Sequence, residues 1–326
     1  MAAEIEYIFP FLASIISLLF CLSVFFQYYK KKKSYQLYWS IALFFFVVTT
    51  GCEALAFALG YWEPFFFRIY YVLAAVQVAL LGAGTISLMV NRNVLSGRKE
   101  YASLGGFALV WLLFAGLYTA RTSIMLWVLV PALLMFATAA ILFVAGTISG
   151  TFSEMKGRLP FLYILFTVYV FVIFLFIAID APVDTGVLLG TVSGETAARQ
   201  GWIVTGVSGE TALPRMFSPL FTVTGAIALI GGPIYSYAAW QWSIRMKSGN
   251  FHLSEGFFNI YLGMGAIVFS AGGVLTKISG FEGVLYISNI LGILLMYYGF
   301  IESDKLLHQR IWRLLPWGKR TAENNQ

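Results

Sequence analysis

Two formal charges, Glu53 and Arg68, stand well inside long hydrophobic runs of this chain. They flank the short turn Gly60-Tyr61-Trp62-Glu63-Pro64. If that turn lies at a membrane face, helical rise puts Glu53 roughly 10 Å below it on one helix and Arg68 roughly 6 Å below it on the next. Charges at such depths are costly, about 2.5–3.5 kcal/mol on insertion scales, and they face the interior and find partners. Two chemistries fit the spacing. Glu53 and Arg68 can form a buried ion pair that fixes the register of the two helices. Alternatively they line an outward-facing ligand cavity, with Arg68 binding an anionic group and Glu53 holding it or carrying a proton. In that case Gln77, Tyr70 and Tyr71 supply further polar tips.

Other schemes fail on residue supply. There are two histidines, His252 and His308, both outside the hydrophobic runs. That excludes a transmembrane bis-histidine haem, a histidine-box di-iron site and HExxH zinc chemistry. The chain has no GxSxG elbow, no P-loop and no suitably placed GxGxxG. No run carries a central lysine for a retinal-type Schiff base. Asp180 and Asp184 are spaced to share a helix face and hold a divalent cation, but Pro182 lies between them and no third acidic ligand is near, so an exposed helix-end pair is the better account of them. The sequence therefore predicts a non-enzymatic protein with no cofactor and no metal.

Composition says what holds these charges. Of 326 residues, 60% are hydrophobic and 11% charged, with a mean hydropathy of +0.81, against about 25% charged in soluble domains. Nine runs are long and apolar enough to cross a bilayer: about Tyr7–Tyr29, Leu37–Gly60, Phe65–Val90, Ser103–Thr119, Ile124–Thr147, Pro160–Ile179, Pro219–Trp242, Phe257–Thr276 and Val284–Ile301. Cys21 and Cys52 fall inside runs, which leaves no disulfide framework. The acidic start, Met1 to Glu6, is unlike a cleavable signal peptide, so the first run is expected to remain as a span. With the N-terminus outside, one face receives Lys30–Lys33, Arg92, Arg98, Lys99, Lys156, Arg158, Arg245, Lys247 and the basic tail. The other receives Arg68, Arg121, Arg199, Arg215 and Lys277, five of the 21 basic residues. That asymmetry predicts an N-out, C-in bundle and accounts for the net charge of +6 without a nucleic-acid partner.

The expected fold is thus an all-α polytopic bundle over residues 1–303, with an extracytoplasmic insertion at 180–217 and a basic cytoplasmic tail at 304–326. The insertion repeats itself, Val192-Ser193-Gly194-Glu195-Thr196-Ala197 recurring as Val207-Ser208-Gly209-Glu210-Thr211-Ala212. Val187–Val192 and Trp202–Val207 read as a short β-hairpin, resting on the helix ends or on a partner protein because two strands are marginal alone; a variable insertion with a chance duplication is the alternative. Gly231-Gly232-Pro233 is the strongest kink or hinge candidate, and paired glycines elsewhere suit close helix packing in lipid. In the tail, Leu307, Ile311, Leu314 and Leu315 share a face opposite Lys305, Arg310 and Arg313. That is the pattern of an amphipathic helix on anionic membrane lipids, or else of a frayed basic end.

Tyr35-Gln36-Leu37-Tyr38-Trp39, Glu53-Ala54-Leu55, Gly60-Tyr61-Trp62, Arg68-Ile69-Tyr70-Tyr71, Gly231-Gly232-Pro233-Ile234-Tyr235-Ser236 and Gly272-Gly273 resemble a group of uncharacterised prokaryotic multi-span membrane proteins. The resemblance implies that Glu53 and Arg68 belong to one unit and places the chain in a prokaryotic cytoplasmic membrane. It brings no activity. Binding of a small molecule or lipid within the bundle, as in a transporter or sensor, is the expected function, and an accessory subunit of a larger membrane complex is the alternative.

Overall fold

The computed structural model describes residues 8–91, 95, 97–119, 122–150, 158–204, 212–238, 257–279 and 283–303. Over these the protein is all-helical, without strands. The long helices are α1 (Ile8–Lys31), α2 (Ser34–Leu59), α3 (Pro64–Asn91), α4 (Arg98–Thr119), α5 (Leu126–Ser149) and α6 (Arg158–Asp180). Two short helices follow, α7 (Thr185–Leu189) and α8 (Gly194–Gln200), then α9 (Leu213–Ala226), α10 (Phe257–Ser279) and α11 (Gly283–Ser303). A π-helical turn, Ile227–Gly231, carries α9 on toward residue 238. Eight helices among the described residues are long and apolar enough to span a membrane, so the protein is a multi-pass membrane protein. The ninth expected run falls on α10, whose described apolar part is the shorter stretch Ile260–Gly272.

Helix α3 forms the axis. It packs against α2, α6, α9 and the π turn, while α10 and α11 pair with each other and close the ring through α1. Small residues allow this closeness. A Cβ on Gly82 would lie 2.9 Å from the Gly225 backbone, and one on Gly225 only 2.3 Å from the Val78 carbonyl. A Cβ on Gly84 would strike the Trp39 indole, whose Nε1 donates to the Leu81 carbonyl at 3.1 Å. Gly265 and Gly292 make the same kind of backbone contact between α10 and α11. In lipid, where burial of apolar surface drives little, such packing is the main source of helix association.

The turn between α2 and α3 follows from its residues. Gly60 ends α2 in the left-handed region (φ +81°), its N–H on the Ala56 carbonyl, a conformation that favours glycine. Glu63 accepts the N–H groups of Phe65 and Phe66 at 2.8 and 3.1 Å, and Pro64, which has no N–H to lose, opens α3.

Beyond α6 the structure differs from the sequence reading. Helix α7 covers Val187–Leu189, where a strand was expected, because Asp184 caps it by accepting the Val187 N–H at 3.0 Å. Ser193 likewise caps α8 through the Thr196 N–H. At Val187–Leu189 the Asp184 cap outweighs the β-propensity of the valine. Among the described residues of this segment, the extended pairing is the single bridge Val183–Trp202. The second copy of the repeat lies almost wholly outside the described residues, as does the tail from 304. Helix α9 begins at Leu213, six residues before the expected Pro219, with Pro214 in its first turn and Pro219 within it.

Candidate functional site

Periodicity decides which residues meet at the centre. On α2, Phe46, Thr49, Thr50 and Glu53 recur at helical spacing, and on α3 Tyr70, Ala74, Gln77, Val78 and Leu81 do the same. These two stripes face each other across a cavity of about 510 Å³, closed by Thr222, Ala226 and Ile227 from α9 and the π turn, Phe269 and Ser270 from α10, and Asn289 from α11. Three of the five expected site residues, Glu53, Tyr70 and Gln77, therefore share one cavity.

Glu53 is 4% exposed. The Tyr70 hydroxyl donates to its carboxylate, and the Tyr70 ring leans on that of Trp62, centroids 4.9 Å apart. The start of α8 closes over this pair. A Cβ on Gly194 would come within 2.6 Å of Glu53 Oε1 and 2.9 Å of the Tyr70 oxygen. The outer segment is pinned in place by Trp62, whose backbone N–H reaches the Leu188 carbonyl and whose Nε1 reaches Val192, at 2.9 and 3.0 Å. Deeper in, Gln77 accepts the Thr49 hydroxyl at 3.4 Å on Oε1, and its amide N–H groups have no protein acceptor among the described residues.

Arg68 and Tyr71 face elsewhere, on the side of α3 turned to α6. Arg68 donates to the carbonyls of Ala178 and Ile179, the latter at 2.9 Å, at the C-terminal end of α6. Free carbonyls and the negative end of the helix dipole make that a favourable seat for a cation. Its guanidinium also lies 5.6 Å from the Trp202 ring, which Tyr71 approaches at 5.3 Å. The structure thus gives Glu53 and Arg68 different neighbours. No Lys or Arg is among the described residues lining the cavity, and its polar groups are one carboxylate, one phenol, two amides and several hydroxyls.

Gly231, Gly232 and Pro233 follow directly on the cavity wall. Pro233 has no N–H to offer, and the helix absorbs the break by widening to i→i+5 bonding over Ile227–Gly231. Gly232 packs on α3, a Cβ there falling 2.6 Å from Thr85, whereas Gly231 has open space. Sequence reasoning overlooked Thr49, Thr50, Thr222 and Asn289. The i, i+4 spacing of Thr49 with Glu53, and an asparagine in the middle of an apolar helix, were the available signals.

No family model, curated protein or solved structure matches this chain. Fold and cavity together define an integral, multi-pass helical membrane protein with a mostly apolar chamber at its axis into which a few polar groups converge.

Proposed function

We propose that the protein binds a small molecule or lipid inside the bundle, as a transporter-like or sensor-like module. The observation that carries this reading is the axial cavity, large enough for a ligand and mostly apolar, with convergent polar groups at Glu53, Tyr70 and Gln77. Arg68 serves in this reading as a brace between α3 and α6. The π turn forms the part of the wall that yields when the ligand enters, and Gly231–Pro233, at its end, serve as the hinge. We place the protein in a prokaryotic cytoplasmic membrane with nine spans, α10 included, N-terminus out and C-terminus in, on the asymmetry of its basic residues.

Native mass spectrometry of protein extracted gently from its own membranes tests the proposal. A small molecule should remain on the wild-type chain, and Ala74→Phe, which fills the cavity, should lose it without loss of folded protein. Glu53→Gln should weaken retention. A wild-type chain that carries nothing, or an Ala74→Phe chain that carries the same mass, overturns the reading. A second reading, an accessory subunit docking through the outer segment, draws support from Leu189, Ile203 and Val204, which are exposed there. It predicts a stoichiometric protein partner in the same spectrum.

A further inference from the structure

A second cavity lies on the other side of the π turn. It is a groove of about 410 Å³ between α4 and the end of α9, floored by Ile86 and Met89 of α3 and walled by Phe107, Ile227, Gly231 and Tyr235. Ile227 and Tyr235 are exposed at its edges, so it opens sideways, toward the lipid. One end holds a cation. Lys99, in the first turn of α4, reaches over the Tyr235 ring with Nζ 5.4 Å from its centre, at the face that also carries Lys30 to Lys33.

We propose that this groove holds one anionic phospholipid of that leaflet, its phosphate on Lys99 and one acyl chain along Phe107, Ile227 and Gly231. Charge decides the class of lipid. Lys99 is the sole charged residue among the described residues lining the groove, and Glu100, next in sequence, is buried and not among them. The first turn of a helix favours acidic residues, so Arg98 and Lys99 do not stand there to stabilise α4. A general excess of basic residues on one face explains their sign, but not a lysine laid across an aromatic ring at the mouth of an apolar groove. Volume fits as well: the groove is more than twice the roughly 150 Å³ that accommodates a benzene ring, enough for one chain. Gly231 leaves it open, since a Cβ there would meet nothing within 4 Å.

The test is native mass spectrometry of the full-length protein in detergent. Phosphatidylglycerol and phosphatidylcholine with identical palmitoyl and oleoyl chains are added in equal amounts. The wild type should retain one phosphatidylglycerol preferentially, and soluble glycerol phosphate should not displace it. Lys99→Gln should cut the preference about fivefold, while Lys30→Gln, on the same face but away from the groove, should leave it intact. Gly231→Leu should remove the bound lipid altogether. Gly231→Ala serves as the folding control, and thermal unfolding should confirm that each variant is folded. Equal retention of both lipids by the wild type, an equal effect of Lys30→Gln and Lys99→Gln, or an undiminished lipid in folded Gly231→Leu each overturns the proposal.

Discussion

Helices α3 and α5 are both apolar and both long enough to cross a membrane, yet they lead opposite lives. In α3, 83% of the most apolar stretch is buried; in α5, 17% is, although α5 is the more hydrophobic of the two. Trp127, Leu134, Ile141 and Ile148 on α5 point outward, while α3 spends its length on Gln77, Gly82, Gly84, Thr85 and Ser87, all buried. In water the greasier helix goes inside. In a bilayer the solvent is itself hydrocarbon, so bulk and branching suit the outside, and smallness and polarity mark the axis.

That contrast can be broken most directly at the contact between α3 and α9. Gly225→Leu drives a side chain into the Val78 carbonyl and should destabilise the protein by about 3 kcal/mol or prevent folding, read as the midpoint of thermal unfolding in detergent. Arg68→Ala removes a cation from two carbonyls at the end of α6 and should cost about 2 kcal/mol. The exchange Glu53→Arg with Arg68→Glu should recover none of that loss, because the two positions have different surroundings. Recovery to wild-type stability would show that the two charges form a pair after all. Trp62→Phe keeps the buried ring but drops the bond to Val192, a loss of about 1 kcal/mol, and hydrogen exchange should quicken across Thr185–Gln200. Smallest of all, Ala140→Leu on the lipid face of α5 should stay within about 0.5 kcal/mol. A large effect there would mean that α5 packs against something more than lipid.

Much of the axis was legible beforehand because the bilayer makes its exceptions conspicuous. A carboxylate in an apolar run, a Gly-x-x-x-Pro turn and clustered glycines all announce themselves, and Glu53, the Gly60–Pro64 corner and the Gly265–Gly292 contact stand where those signals pointed. What stayed hidden depended on partners distant in sequence. Whether Arg68 meets Glu53 or the end of α6 turns on where a helix 110 residues away packs. The fate of Val187–Leu189 turned on one local cap, Asp184, whose hydrogen bond to the Val187 N–H overrules the local β-propensity. Thr49 and Asn289 were passed over because single hydroxyls and amides in a membrane helix so often bond to their own backbone, as Thr50 does to Phe46.

The π turn at Ile227–Gly231 has a consequence for phase. It holds one residue more than an α-turn would need, so every side chain after it is rotated by about 100° from its place on an unbroken helix. A helical wheel drawn straight through this span assigns Tyr235 to the wrong face. The position is also where the chain can lose one residue and keep its helix: deletion within 227–231 would let α-bonding resume, leave the length and greasiness of the span almost unchanged, and swing Tyr235 away from Lys99. Here a single residue of length, invisible to any measure of composition, decides which surface the last turns of the helix present.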